Sequence, residues 1–367
     1  MAKISIPAGS STDRAARWVL VAAGIAVVLF IPFSMSPYRV NQFTLVALFA
    51  VATMGINLLT GYNGQISLGH SFFFAVGAYT SAILIVDHDW PYLITLVPAF
   101  LLTFVLGFLF GIPALRLEGL YLALVTLALA VVAPPFIKRF DDLTGGSQGL
   151  IVPKPDAPEW TGLADDQWRY FVCVTVAALV FLATRNLVRG RVGRALIAVR
   201  DNHIAAETMG INLSIFKTLT FAISAAYAGL AGCLFAWVIG FVSPESFTVT
   251  LAIEFLSGAV VGGLATVLGP VFGAAFTVFV PVYAADFNPA APNVLYGIAL
   301  ILVIMLMPSG VVGLLKRARD LVVDRSPRSG PGDPVEPAAI RSTPDQVPAP
   351  EPVPTVPNTG ATRETST

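Results

Sequence analysis

The chain has 367 residues, of which 56% are hydrophobic and only 12% are charged, and its mean hydropathy is +0.77. A soluble domain carries about 25% charged residues, so this composition excludes an ordinary soluble protein and indicates a polytopic membrane protein. The 22 basic residues balance the 22 acidic residues, and a chain without net charge gives no indication of a nucleic-acid partner.

The two cysteines, Cys173 and Cys233, both lie within apolar runs, where a cysteine behaves as a small hydrophobic residue. Their positions predict neither a disulfide nor a metal site. Residues 1–17 contain no apolar core and no small-residue cleavage site before the first long apolar run. The sequence therefore predicts no removable signal peptide.

A hydrocarbon core about 30 Å thick requires roughly 20 apolar helical residues for each crossing. Runs near this length recur up to residue 308 and predict an all-α bundle of about ten membrane-spanning helices. The runs that fit one crossing each are 18–33, 40–59, 66–86, 92–115, 119–137, 170–187, 216–242 and 293–308. Residues 251–285 form a further run of about 35 residues, which is too long for one crossing and is interrupted by glycines and Pro270.

The basic residues predict the orientation, because cytoplasmic loops carry an excess of arginine and lysine. The basic residues that would share one side are Arg14, Arg17, Arg116, Arg185, Arg189, Arg191, Arg194, Arg200, Lys316, Arg317 and Arg319. Lys316, Arg317 and Arg319 join this side only if 251–285 enters the membrane twice, either as two crossings or as a tilted or re-entrant pair. This arrangement places both termini in the cytoplasm.

The composition changes near residue 327, after which the chain is rich in proline and free of aromatic residues. Such a segment cannot bury enough apolar surface to fold alone. We therefore expect a cytoplasmic N-terminus at 1–17, a transmembrane domain at 18–315 and a disordered cytoplasmic tail at 316–367. The tail is either a dispensable extension or a segment that binds a partner.

No catalytic motif is present in the sequence. It contains no His-Glu-x-x-His helix, no nucleophile elbow, no metal-spaced cysteines and no phosphate-binding glycine loop. The sequence therefore predicts a protein that is not an enzyme, with no catalytic residue, metal ligand or cofactor in this chain.

Two polar stretches interrupt the apolar pattern. The first, 60–71 (TGYNGQISLGHS), will be called the polar segment; its hydrogen-bonding residues at the membrane boundary are Asn63, Gln65, Ser67 and His70. It is either an ordinary helix turn or a gate within a translocation pathway. The second, 141–150 (DDLTGGSQGL), contains Thr144 and Ser147 among glycines. It is either a plain connector or a nest of backbone N–H groups that receives a carboxylate or a docking partner.

Residues 193–212 (GRALIAVRDNHIAAETMGIN) will be called the charged segment. Asp201 or Asn202 can cap a short helix over 203–209, and Gly210 suits the left-handed position that ends it. A surface helix of this kind is either an interfacial filler or a docking element for a soluble subunit.

Four stretches resemble, in order and spacing, the permease subunits of branched-chain amino acid ABC importers. They are GYNGQISLGHSFFFAVGAYTSA, LTGGSQGL, AVRDNHIAAETMGIN with the following FKTLTFAISAAYAGLAGCLFA, and VVGGLATVLGPVFGA, within 57–312. The charged segment is similar to that family's coupling loop, here 188–215, whose short helix fits a groove on the ATPase. The resemblance places at this contact Arg200, Asp201, Asn202, Ala205, Ala206, Glu207, Met209 and Gly210. Ile204 stands where the general importer pattern has a glutamate.

The resemblance implies transport of branched-chain amino acids across the bacterial cytoplasmic membrane, with ATP hydrolysed by a partner. The implied partners are a second, homologous permease, two cytoplasmic ATPases that hold ATP and Mg²⁺, and an extracytoplasmic binding protein. Relatives that carry urea, small amides or small carboxylates are the alternative within the family. An ion-coupled secondary transporter would need carboxylates within the spans, where Glu254 is the clear candidate. A structural membrane scaffold would show no ATP-dependent transport.

Overall fold

The computed structural model describes residues 4–5, 11–115, 117, 119–287 and 292–324. Side chains are described within 22–317, except at residues 114, 116, 118 and 287–291. The side chains of Arg14, Arg17, Arg116 and Arg319, and the proline-rich stretch from residue 325 onward, therefore lie outside the described part.

The predicted all-α class is confirmed. The helices are α1 (Ser11–Ser34), α2 (Pro37–Ile56), α3 (His70–Val86), α4 (Tyr92–Ala114), α5 (Leu120–Arg139), α6 (Asp141–Thr144), α7 (Asp165–Arg189), α8 (Arg191–Asp201), α9 (His203–Thr208), α10 (Leu213–Ile239), α11 (Val249–Gly262), α12 (Gly269–Phe287), α13 (Pro292–Leu306) and α14 (Gly310–Val322). A π-helical turn, Asn57–Tyr62, continues α2, and two 3₁₀ turns lie at Glu159–Thr161 and Pro244–Ser246.

Four strands of two residues each form two small pairs. β1 (Ile4–Ser5) is parallel to β4 (Val323–Asp324), so the two described ends of the chain lie together. β2 (Leu150–Ile151) is antiparallel to β3 (Phe241–Val242). This second pair joins the loop after α6 to the end of α10.

The described chain contains eight helical segments that are long and apolar enough to cross a membrane. Two shorter apolar helices, Ala22–Ser34 and His70–Val86, accompany them. These ten segments occupy the positions of the predicted spans. The short helices α8 and α9 lie between two of them, at the charged segment.

The centre of the bundle is α10, which packs against α2, α3 and α4. Small residues permit this packing: Gly77 of α3 faces Gly229 of α10, and Gly232 lies against the backbone of Phe74. Helices in a membrane associate mainly through such close contacts, because lipid is as apolar as their own side chains. Gly229 and Gly232 of α10 therefore form a packing seam against α3.

The long run 251–285 forms a hairpin of two helices rather than one helix. Gly258 of α11 faces Gly273 of α12, and nearer the turn Gly262 faces Gly269, which makes the pair antiparallel. The 14 residues of α11 extend over about 21 Å, less than the thickness of the hydrocarbon core. The prediction that this run enters the membrane twice fits the hairpin.

One face of the bundle, which will be called the charged face, collects loops that are distant in sequence. Arg200 of the charged segment donates a hydrogen bond to the carbonyl oxygen of Gly61, after α2. Asn57 is hydrogen-bonded to Thr266, in the turn between α11 and α12. The loops after α2, after α8 and after α11 thus meet on the same face, as the alternation of spans predicts.

The opposite face collects other loops. Val152 N donates to Gly240 O at 3.0 Å, and Lys138 Nζ pairs with Glu245 Oε1 at 2.6 Å. These contacts join the end of α5 and the loop before α7 to the end of α10. The regular alternation between the two faces is what a chain that crosses a bilayer repeatedly requires.

The end of the bundle corrects one boundary. The disordered tail was expected to begin at residue 316, but α14 continues to Val322. The turn before α14 packs against the α11–α12 turn, where Gly263 lies close to the backbone of Ser309. Residues 316–322 therefore belong to a helix that is anchored at its start on the charged face.

Candidate functional site

The charged segment folds into two consecutive helices. Helix α8 ends at Asp201, and the extended residue Asn202 accepts a hydrogen bond from Ala205 N at 3.0 Å through its side-chain oxygen. Asn202, and not Asp201, is therefore the cap of α9. Gly210 has a φ of +81°, the left-handed conformation that commonly ends a helix. The predicted short capped helix is confirmed.

Helix α9 projects apolar side chains into solvent. Ile204 is 65% exposed and Met209 is 84% exposed, and Ala205 and Glu207 are exposed as well. Ala206 is only 3% exposed, so it faces the rest of the chain and supports α9 from below. Ile204 of α9 and Met209, directly after it, are two exposed large apolar side chains that together form a surface suited to a protein partner.

Arg200 ties the charged segment to the π-helical turn. Its Nη1 donates to Gly61 O at 2.8 Å, and its Nε and Nη2 each lie 2.9 Å from Asp201 Oδ1. The arginine side chain crosses Gly64, which has a φ of +76°, and a Cβ at this glycine would lie 2.8 Å from Arg200 Cγ. Arg200, one of the predicted contact residues, therefore also holds this segment to the bundle, and Asp201 pairs with the Arg200 guanidinium.

The π-helical turn is bound in turn to the α11–α12 hairpin. Asn57 is fully buried, and its amide donates to Thr266 O at 2.7 Å and accepts from Ala265 N at 2.8 Å. Gly61 lies against the same loop, since a Cβ at Gly61 would be 2.5 Å from Ala265 N. Asn57 was not among the predicted site residues; its signal in the sequence is a polar residue at the end of an apolar run. Short π-helical segments are often found at functional sites.

The polar segment begins within this turn and is largely buried. Ser67 is fully buried, and Asn63 and His70 are 3% and 1% exposed. Ser224 Oγ donates to Gly55 O, so His70 Nε2, which lies 2.8 Å from Ser224 Oγ, acts as the donor in that contact. His70 is thereby fixed against α10.

The polar segment is also bound to α5. Leu68 N donates to Thr126 Oγ1 at 3.0 Å, and Gly69 lies against the backbone of Thr126. Thr126 is 2% exposed and was not recognised in the sequence, where it is one threonine within an apolar run. The polar segment thus contacts α5 as well as α10.

Several buried polar atoms of the polar segment lack a hydrogen-bond partner within the described chain. They are both amide atoms of Asn63, Gln65 Oε1, His70 Nδ1 and Ser71 Oγ. Asn63 and Gln65 line a cleft of about 170 Å³ together with Arg200, His203 and Lys217. Unpaired buried polar groups are costly, so their concentration here indicates a place that water or a ligand occupies.

The structure does not bring Thr144 and Ser147 together with the other predicted pathway residues. The two groups lie at opposite ends of α5, whose 20 residues extend over about 30 Å. Thr144 is 7% exposed, and its hydroxyl donates to Ile137 O at 2.8 Å. Ser147 is exposed.

Thr144 lies at the end of an apolar groove of about 530 Å³ between α3, α4 and α5. In the loop that follows, Gly145, Gly146 and Gly149 have positive φ values, as a nest of N–H groups would require. The carboxylate of Asp141 lies against Gly146. The side chain of Asp141, at the start of α6, therefore lies beside the predicted nest of N–H groups.

These features define a polytopic helical membrane protein with a projecting helix on one face and a buried polar segment beneath it. Residues 38–305 match the family model of the branched-chain amino acid transport system permease component. The chain belongs to this family, which is a family of transport permeases and not of enzymes.

Two relatives illustrate the similarity. The chain is 33% identical to the high-affinity branched-chain amino acid transport system permease protein LivM of Escherichia coli K12, over 72% of this chain and 67% of the relative. It is 25% identical to the corresponding permease protein LivH of Salmonella typhimurium LT2, over 74% of this chain and 94% of the relative. No solved structure gives a significant match to the chain.

Proposed function

We propose that the chain is the membrane-spanning subunit of an ABC importer that moves branched-chain amino acids across the bacterial cytoplasmic membrane. The family and the names of the relatives support this substrate class. The charged face would lie in the cytoplasm with both termini, because basic residues concentrate in the loops of this face. A permease for urea or for other small amides or carboxylates is the alternative within the same family.

The proposed importer contains further subunits. A second, homologous permease would complete the membrane domain, two ATPases would bind ATP and Mg²⁺ on the cytoplasmic side, and an extracytoplasmic protein would deliver the substrate. In this scheme the chain itself hydrolyses nothing and holds no cofactor. The exposed side chains of Ile204 on α9 and of Met209 directly after it would lie in the groove of an ATPase, with Ala205 and Glu207 beside them.

The observation that carries the mechanism is the hydrogen bond between Arg200 and Gly61. This hydrogen bond connects the charged segment, which carries α9, with the π-helical turn. Asn57 in turn connects the π-helical turn with the α11–α12 hairpin. A displacement of α9 by a closing ATPase would therefore act on two helical elements of the bundle at once.

The transport step would be a rigid-body movement. The helices of the centre approach each other through glycines and cannot deform smoothly, so packed groups of helices would rock against one another. The polar segment, bound to α5 and to α10, would change its surroundings in this movement and open the pathway toward one side and then the other.

The test is uptake by the importer reconstituted in liposomes with its partner subunits and binding protein. We expect ATP-dependent uptake of leucine, which urea does not compete with. Ala205→Trp should uncouple uptake from ATP hydrolysis while the complex still assembles, whereas the same change at the exposed Leu182 of α7 should have no effect. Normal coupled uptake by Ala205→Trp would contradict the mechanism. Uptake by this chain alone, driven by an ion gradient, would favour a secondary transporter.

A further inference from the structure

Helix α14 leaves the bundle on the charged face through a sharp turn. Gly310, at the start of α14, has a φ of +70°, and a Cβ at this position would lie 2.5 Å from Gly263 Cα. The left-handed conformation and the close approach both favour glycine, so the start of α14 is fixed against the turn between α11 and α12. Val312, two residues further, is only 9% exposed. One side of α14 therefore rests on the bundle where the helix begins.

The next residues of α14 are apolar and uncovered. Leu314 is 46% exposed and Leu315 is 51% exposed. They follow closely on the end of α13, where Met305 and Leu306 are 79% and 69% exposed. All residues of α13 are described and none is buried, so this apolar span lies at the periphery of the bundle, where exposed apolar side chains face lipid. Only residues 307–309 separate the two helices, which places the exposed leucines near the boundary of the hydrocarbon core.

Basic side chains follow the two leucines directly. Lys316 and Arg317 are both exposed, and α14 contains three basic residues and one acidic residue, an excess of two positive charges. Exposed leucines next to basic residues on one helix are typical of a helix that lies in the membrane interface. Long lysine and arginine side chains can place their stems against apolar groups and their charges in the polar layer. Anionic lipid headgroups attract such basic residues.

We propose that α14 lies in the membrane interface and binds anionic phospholipid headgroups. Leu314 and Leu315 lie among the acyl chains, and Lys316 and Arg317 contact the lipid phosphates. Lipid is the occupant that fits this surface, because the exposed leucines follow a lipid-facing span and the charges beside them are complementary to anionic headgroups. The proposal goes beyond the transport function and does not depend on which substrate is transported. It gives the α11–α12 hairpin a lipid-bound neighbour, since the start of α14 is fixed on the turn of this hairpin.

The experiment measures how strongly brominated lipids quench a fluorophore on α14. The fluorophore is attached to Leu315→Cys in the assembled importer, in which other accessible cysteines are replaced by serine; Cys173 and Cys233 are buried. The nanodiscs contain phosphatidylglycerol and phosphatidylcholine in equal amounts, with brominated acyl chains on one lipid or on the other. We expect brominated phosphatidylglycerol to quench at least about threefold more strongly, since one basic residue near an anionic surface favours anionic lipid by roughly fivefold.

The charge variant combines Lys316→Gln with Arg317→Gln. It should bring the quenching ratio of the two lipids close to one, while quenching itself persists because the leucines remain. The matched control combines Arg185→Gln with Arg189→Gln, which removes two exposed basic residues at the end of α7. This control should leave the quenching ratio at α14 unchanged. A fluorophore on Leu182→Cys, at an exposed apolar position of α7, should be quenched equally by both lipids.

Three results would overturn the proposal. The first is a fluorophore at Leu315 that neither lipid quenches, which would indicate water or a protein partner at α14. The others are equal quenching by both lipids in the wild-type background and a preference that persists in the charge variant. Size-exclusion chromatography verifies assembly, and a label on the exposed Leu314→Cys provides a second test if Leu315→Cys does not assemble. Because the measurement uses neither substrate nor ATP, its failure would leave the proposed transport function untouched.

Discussion

Asn57 Nδ2 donates a hydrogen bond to the carbonyl oxygen of Thr266 at 2.7 Å, although 209 positions of the chain separate the two residues. The same amide accepts from Ala265 N. One fully buried side chain therefore satisfies two backbone groups of the turn between α11 and α12, and it fixes the hairpin to the end of α2.

We expect Asn57→Leu to destabilise the protein. It leaves the half-buried Ala265 N–H and Thr266 C=O without this partner, at a cost of at most about 1–3 kcal/mol for each group. Thermal unfolding of the detergent-solubilised protein should show a lower Tm than the wild type. Asn186→Leu, an exposed change of the same kind, should leave the Tm unchanged. Equal Tm values for all three proteins would show that Asn57 does not hold the hairpin.

Arg200→Met should reduce transport per ATP hydrolysed. The variant keeps an apolar stem of similar length but loses the hydrogen bond to Gly61. A hydrogen bond to a charged group contributes about 1.5–3 kcal/mol, so the coupling ratio should fall by about tenfold or more. The measurement is leucine uptake and phosphate release by the same liposomes.

The control for this variant is Arg185→Met, because Arg185 is exposed on α7. In the double variant Arg200→Met with Asn57→Leu, the fold-reduction of the coupling ratio should be smaller than the product of the two single fold-reductions. The reason is that both residues belong to the same connection between α9 and the α11–α12 hairpin. A normal coupling ratio in Arg200→Met, or independent effects in the double variant, would contradict the connection.

Gly232→Ala should destabilise the bundle although it adds a single methyl group. The new Cβ would meet the backbone of Phe74, so α3 and α10 would have to separate, at a cost of about 1–3 kcal/mol. Gly297→Ala on α13 is the matched control, because a Cβ there meets no atom within 4 Å. The control should be neutral or stabilising by up to about 1 kcal/mol, since alanine favours a helix more than glycine does. Denaturant unfolding of both variants measures the difference between their free energies of unfolding. Equal values would contradict the close packing of α3 against α10 at Gly232.

Asn202→Ala should loosen α9. The change removes the side-chain oxygen that accepts from Ala205 N, and loss of such a cap costs about 0.5–2 kcal/mol. Hydrogen exchange of the amides in 203–208 should become faster, and coupled uptake should fall. Asn202→Asp keeps a capping oxygen of similar quality and should retain both properties. If the amides of 203–208 in the alanine variant exchange hydrogen at the wild-type rate, the Asn202 cap does not stabilise α9.

The sequence by itself determined the features that depend on the solvent or on neighbouring residues. A bilayer requires apolar helices of nearly fixed length, so the hydropathy pattern predicted the positions of the ten apolar segments and the double entry of 251–285. The capped helix α9 was also predictable, because Asn202 and Gly210 act on backbone groups only a few residues away. The end of α14 was missed, since the tail that composition indicated after about residue 327 was expected to begin at residue 316, whereas the helix continues to Val322.

Only the tertiary structure decided which polar groups meet. Arg200 and Gly61 are 139 positions apart, and His70 and Ser224 are 154 apart. No local pattern encodes such pairs, because they depend on which faces of the helices pack together and at what distance. The same packing turned Ala206 inward, separated Thr144 from Asn63, and placed Asn63 and Arg200 in one cleft.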